Sequence, residues 1–197
     1  MPEERQQDII ISGVGGQGIL TVAGVLCAAA VAEGLRVKQS EVHGMAQRGG
    51  AVITHLRVSS KSIHSDLVPH GSAHLVIALE PMEGLRYLPH ARSDALLIVN
   101  KSPVSNIAAY PDIEKVIRRI EEWKQHVLVD AEQLAKDAGT VRAVNSVMLG
   151  AASEYLVLTS ERLRQTVGEY FEKKGPAVVE KNLAAFDLGR EAAWQGE

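Results

Sequence analysis

Residues Asp8 to Leu20 read DIIISGVGGQGIL, a short apolar strand driven into a glycine-rich turn that opens a helix. Gly13, Gly15 and Gly18 satisfy the spacing G-x-G-x-x-G. In that pattern glycine permits a tight turn, close approach of a ligand to the backbone, and close packing of helix on strand. Gly16 and Gln17 complete the turn, and the amides exposed at the helix start favour an anion. A strand before and a helix after are the context the motif requires. A tight strand-to-helix connection without a ligand is the simpler reading of the same residues.

Working outward, the chain alternates strands and helices. The first helix spans Gln17 to Gly34, with Ala23, Leu26, Cys27, Ala30 and Val31 as its apolar stripe and Gly34 ending it. Leu35 to Gln39 reads as a second strand and Ala51 to Val58 as a third. Ser59-Ser60-Lys61 then suggests a turn into a partner strand at Ser62 to Asp66, that is, a hairpin. Leu75 to Leu79 and Ala95 to Val99 are continuous apolar runs of the kind covered on both faces, with a helix near Met82 to His90 between them. Ile113, Val116, Ile117 and Ile120 fall at helical spacing ahead of a strand at Val127 to Val129, and Asp130 is placed to cap a helix over Ala131 to Asp137. Beyond Gly139 the pattern is helical: Asn145-Ser146 capping a buried helix to about Leu158, then helices near Ser160 to Lys173 and Pro176 to Trp194, with Pro176 suited to a first turn. The expected class is α/β, an open, Rossmann-like, mostly parallel sheet flanked by helices, with a helical C-terminal region from about residue 140. Residues 1–197 form one domain on this reading.

Composition excludes several function classes. With 197 residues and 46% hydrophobic content the chain can bury a full core. Its 21 basic and 24 acidic residues are scattered, giving a net charge of -3, so no nucleic-acid or anionic-membrane partner is indicated. No apolar run reaches membrane-spanning length and MPEERQQD lacks a signal-peptide core, which points to a cytoplasmic protein. A single cysteine, Cys27, cannot form an internal disulfide, and cannot by itself hold an iron-sulfur cluster or a cysteine zinc site. Any redox metal must belong to a partner. The seven histidines show no metal-ligand spacing. Ser12 and Ser40 lack a nucleophile elbow, and Trp123 and Trp194 read as packing or interface residues.

A second stretch, Ser40 to Gly50 or SEVHGMAQRGG, connects the second and third strands. Arg48 offers a planar fork of donors, Gly49-Gly50 removes side-chain obstruction, and His43 and Gln47 add hydrogen-bonding capacity. This loop follows a strand's carboxyl end, the edge that also carries the glycine turn, so the two loops are expected to line one crevice. The alternative is a plain connection whose arginine makes an internal ion pair.

GVGGQGIL, the spaced Gln47-Arg48-Gly49-Gly50, RVSSKSIHSDLV, ALLIVN and NSVMLGAA, in that order, resemble the gamma-type domain of 2-oxoacid:ferredoxin oxidoreductases, and within it the indolepyruvate branch. The resemblance spans Asp8 to about Gly189. It implies a non-cluster subunit, inactive alone, of an enzyme that oxidatively decarboxylates a 2-oxoacid to acyl-CoA, CO2 and reduced ferredoxin. Thiamine diphosphate, magnesium and iron-sulfur clusters would reside on a large partner subunit, with coenzyme A as co-substrate and self-association of this chain also open. No catalytic acid or base is then demanded here, since thiamine diphosphate is its own nucleophile and electron sink. Carried over by position, Gly13, Gly15, Gly16, Gln17 and Gly18, with Ser40, His43, Gln47, Arg48, Gly49 and Gly50, would border the cleft for coenzyme A.

Two other classes compete. A stand-alone NAD(P)-binding oxidoreductase or nucleotide-binding module needs an acidic tip on the second strand, where this chain has Lys38-Gln39. A purely architectural subunit would use the glycine turn against its partner's backbone alone.

Overall fold

Strand β1 (Gln6–Val14), the strand of the opening motif, lies inside a six-stranded sheet. Its neighbours are β3 (Ala51–Ser59), antiparallel, and β4 (Ala73–Ala78), parallel. Beyond β3 lies the edge strand β2 (Arg36–His43). Beyond β4 follow β5 (Ala91–Asn100) and β6 (His126–Val129), both parallel. The computed structural model describes residues 5–43, 50–104 and 110–194. The expected mostly parallel sheet is present, with β3 as its one antiparallel member.

Strand periodicity divides the core between the two faces of the sheet. Ile9, Ile11, Leu75, Ile77 and Ile98 share one core with α1 (Ile19–Ala32), α4 (Ala131–Asp137), α5 (Val144–Ala152), α6 (Ser160–Phe171) and α7 (Pro176–Trp194). Ile10, Val76, Ala78, Leu97 and Val99 share the other with α3 (Ile113–Glu121) and with Met82 and Leu85 of α2 (Pro81–Arg86). Runs such as Leu75 to Leu79 therefore carry no polar residue, because both sides are covered. Helix α1 stops where Gly34 takes a positive φ of 73°. Asp130 caps α4, accepting from the Gln133 amide at 3.2 Å, and Pro176 opens α7 as expected. No helix among the described residues is long and apolar enough to cross a membrane.

The structure corrects four local expectations. β2 runs on to His43, so Ser40 lies within the sheet opposite His55, and β3 pairs with β2 and β1 instead of with residues 62–66. No strand forms at Ser62 to Asp66. That segment is pinned by side chains: Arg57 donates to the carbonyls of Ser65 and Leu67, and the Val68 amide donates to His55 Nδ1 at 3.2 Å. Arg57 itself is held by both oxygens of buried Asp8, its cross-strand partner, at 2.7 and 3.0 Å. Helix α5 ends at Ala152, short of Leu158. There Ser153 Oγ bonds the Gly150 carbonyl, and the Gln7 amide takes over the Tyr155 carbonyl and the Val157 amide. The helix expected from Met82 to His90 is likewise divided, α2 giving way to a short 3-10 turn at Leu88–His90 that contains Pro89.

His55 sits with His70 and His90 under the pinned segment, the ring centres of His55 and His90 being 5.1 Å apart and those of His70 and His90 4.2 Å. Burial, and then the neighbouring imidazoles, depress the pKa of His55 and of His90, with Asp66 opposing at His55. The bond from Val68 also requires an unprotonated Nδ1. A folded-state pKa below the unfolded value of about 6.5 gives stability that is full above that pH and lost as pH falls through the folded value. Urea midpoints measured between pH 7.5 and 5.5 should therefore fall more steeply for the wild type than for His55→Gln. The comparison isolates the histidine from buried Glu83, whose carboxyl burial pushes up and whose contribution has the opposite sign. Parallel curves would contradict this.

Candidate functional site

The carboxyl ends of β1, β4, β5 and β6 meet at one edge of the sheet, and the glycine turn lies there between β1 and α1. Its shape is set by side-chain amides. Gln17 folds back so that Oε1 accepts from the Val14 amide at 2.7 Å and Nε2 donates to the Leu79 carbonyl at 2.8 Å, tying the turn to the end of β4. Gly13 allows this, since a Cβ there would stand 2.7 Å from Gln17 Oε1. Asn100, at the end of β5, donates to the same Leu79 carbonyl at 3.2 Å and accepts from the Ala131 amide at the start of α4, also at 3.2 Å. From α5, Asn145 Nδ2 donates to the Gly18 carbonyl at 3.2 Å. Gly18 has φ 79°, and a Cβ on it would come within 2.3 Å of that Asn145 nitrogen.

Four segments are thus stitched to a turn whose amides at Gly16, Gly18 and Ile19 find no backbone acceptor among the described residues. They face a cleft of about 380 Å³ lined by Gly16, Gln17, Gly18, Asn100, Arg142 and Asn145, and also by one carboxylate, Glu132, and the exposed Val141. Among the described residues the Arg142 side chain makes no ion pair or hydrogen bond. Free amides at a helix start, three carboxamides and a guanidinium, set against the single carboxylate of Glu132, make a surface suited to an anion. On the opposite side of the same edge, buried Glu80 caps α2 through the Glu83 amide and accepts from the Tyr110 hydroxyl. Burial and then Glu80 raise the Tyr110 pKa.

Of the residues singled out from sequence, Gly13, Gly15, Gly16, Gln17 and Gly18 form the turn. Gly50 is brought to it, its carbonyl accepting from the Gly15 amide at 2.8 Å. Ser40 and the backbone of His43 belong to β2, separated from β1 by β3. Gln47, Arg48 and Gly49 lie outside the described residues. Ser12 is fully buried and donates to the Glu83 carbonyl, and burial pushes the Cys27 thiol up, as suits a packing residue. Trp123 donates from its ring to the Ala95 carbonyl, whereas Trp194 is exposed. Sequence reading missed Asn100 and Arg142, and took Asn145 for a helix cap; α5 has no side-chain cap, and Asn145 points to the glycine turn instead. The antiparallel β3 also separates β2 from β1. An acidic tip on β2 would therefore not stand beside the turn as a dinucleotide ribose requires.

Comparison with known proteins agrees with this architecture. The family model described as pyruvate ferredoxin/flavodoxin oxidoreductase matches residues 8–192. The chain is 36% identical to indolepyruvate oxidoreductase subunit IorB of Pyrococcus horikoshii, over 96% of each chain. It is 30% identical to 2-oxoglutarate synthase subunit KorC of Methanothermobacter thermautotrophicus, over 98% of each. Among solved structures it shares its fold with 2-oxoglutarate:ferredoxin oxidoreductase from Magnetococcus marinus, which was determined with 2-oxoglutarate, coenzyme A and succinyl-CoA bound. There the TM-score is 0.79 at 24% identity, covering 99% of this chain and 32% of that one. The glycine turn, the strand order around it and full-length similarity to such subunits lead to one assignment: the chain belongs to the pyruvate ferredoxin/flavodoxin oxidoreductase family, as a subunit of a 2-oxoacid:ferredoxin oxidoreductase complex.

Proposed function

We propose that this chain is the gamma-type subunit of an indolepyruvate:ferredoxin oxidoreductase, in which its glycine-turn cleft receives coenzyme A. The observation that carries the reading is the cleft itself: amides at Gly16, Gly18 and Ile19 left open by a turn that Gln17 and Asn145 hold in place, with Arg142 beside them. Full-length similarity to a subunit of indolepyruvate oxidoreductase supports the substrate class. On this reading residues 1–197 are one gamma-type domain. The partner subunit carries thiamine diphosphate, magnesium and the iron-sulfur clusters, and electrons leave the complex to ferredoxin. One cysteine, whose thiol burial pushes up, cannot supply the thiolates a cluster needs in this chain.

Thiamine diphosphate supplies the nucleophile and electron sink for decarboxylation. This chain's residues bind and position. The helix-start amides take the diphosphate of coenzyme A, Arg142 adds a charge-assisted contact, and exposed Leu20 and Val141 beside the cleft provide apolar surface for the partner. Gly50, held to the turn through the Gly15 amide, carries the chain on from Gln47, Arg48 and Gly49, which on this reading also serve coenzyme A.

Two measurements test this. Co-expressed with its partner, the complex should reduce methyl viologen with indolepyruvate and coenzyme A far faster than with 2-oxoglutarate, the substrate that the similarity to a 2-oxoglutarate synthase subunit makes the natural competitor. A preference for 2-oxoglutarate would overturn the substrate. In the same complex Arg48→Ala should cost roughly 1.5 to 3 kcal/mol in kcat/KM for coenzyme A, the usual worth of a hydrogen bond to a charged group. Unchanged KM values for both coenzyme A and the oxoacid would remove the loop from the binding site and favour an architectural role.

A further inference from the structure

A second depression adjoins the glycine-turn cleft and shares Arg142 with it. It encloses about 270 Å³, and Thr140, Arg142, Phe171, Lys174, Val178 and Lys181 line it. Three cations converge there and no carboxylate joins them. Two are held in direction by their neighbours, one by a ring face and one by stem packing. The Lys174 ammonium stands 5.1 Å from the centre of the Phe171 ring, and the Lys181 stem runs along the turn at Gly139, its Cε 3.6 Å from where a Cβ would project. Elsewhere on α6 and α7, Arg164 is neutralised by Asp187 and Arg190 by Glu154. Arg142, Lys174 and Lys181 are in no ion pair with a described carboxylate, in a chain whose acidic residues outnumber its basic ones, 24 to 21. Like charges brought together repel, and an anion among them relieves that repulsion.

Size decides what the anion belongs to. Pockets that hold a whole small-molecule ligand are usually about 300 to 1,000 Å³. This one suits a phosphoryl group and part of the sugar that bears it. Through Arg142 it continues into the cleft of about 380 Å³ at the glycine turn. We propose that one extended ligand lies across both depressions, with a phosphate monoester between Lys174 and Lys181 and a diphosphate at the glycine turn. Arg142 serves the two from the middle. Resting on the reading of the cleft given above, the ligand is coenzyme A and the monoester its 3′-phosphate, which a single ribose joins to the diphosphate.

The test uses the assembled enzyme, wild type and Lys174→Ala/Lys181→Ala, with coenzyme A and with 3′-dephospho-coenzyme A. In the wild type, KM should be at least about tenfold higher for the dephospho form. In the double variant, KM for coenzyme A should rise to meet it while KM for the dephospho form stays put, so that the ratio approaches one. Adenosine 3′,5′-bisphosphate should compete with coenzyme A in the wild type and lose at least about tenfold in inhibition in the variant. A wild type indifferent to the 3′-phosphate, or a ratio that the double variant leaves unchanged, would overturn the proposal. So would inhibition by the bisphosphate that does not compete with coenzyme A, which would make the pocket a separate anion site. Failure of the cleft reading looks different: Asn145→Ala would then leave both KM values where they were.

Discussion

Gly189→Ala should destabilise this protein by at least about 3 kcal/mol, enough to threaten folding in a domain of ordinary marginal stability. α5 and α7 cross backbone to backbone. A Cβ on Gly189 would stand 2.0 Å from the Val147 carbonyl oxygen, and one on Gly150 1.9 Å from that of Phe186. Neither obstacle is the end of a flexible side chain, so relief requires moving one helix bodily away from Phe186, Ala185 and Met148, which are fully buried at this crossing. Gly168 on α6 is the internal control, since its added methyl would meet nothing nearer than 3.7 Å. Gly168→Ala should be neutral or stabilise by up to about 1 kcal/mol through helix propensity. Urea denaturation of the three proteins decides the matter, and equal midpoints for Gly189→Ala and Gly168→Ala would contradict the packing described.

This crossing also shows where sequence reading stops. Gly150 and Gly189 are 39 positions apart, and each is an unremarkable small residue on its own helix; only the packed structure makes them one contact. The glycine turn was legible because its requirements are local, with an apolar strand, a positive φ at Gly16 and Gly18, and a helix start all falling within thirteen residues. The parallel strands were legible because burial on both faces leaves continuous apolar runs. The partner of β3 was not. An alternating strand satisfies the same pattern whether its neighbour precedes or follows it, and here β2, reached through the Ser40 to Gly50 stretch, takes the place assigned to residues 62–66.

The candidate site was half legible for the same reason. Gln17 acts within its own turn, whereas Asn145 reaches a carbonyl 127 positions away, and an asparagine near a helix start is locally indistinguishable from a cap. Arg142 carries no motif. Its importance comes from the two depressions that meet at it and from the want of a carboxylate partner, and both are properties of the folded surface.

Arg142→Glu in the assembled enzyme puts the most direct question to the cleft. The residue is exposed and makes no described side-chain contact, so folding should not register the change. Reversing its charge replaces an attraction for phosphate by a repulsion beside Glu132, and the combined effect should exceed about 2 kcal/mol, the scale of one charged hydrogen bond. KM for coenzyme A should then rise at least about thirtyfold while KM for the oxoacid stays within about twofold of the wild-type value. An unchanged KM for coenzyme A, or an equal rise in both constants, would contradict the placement of coenzyme A at the glycine turn.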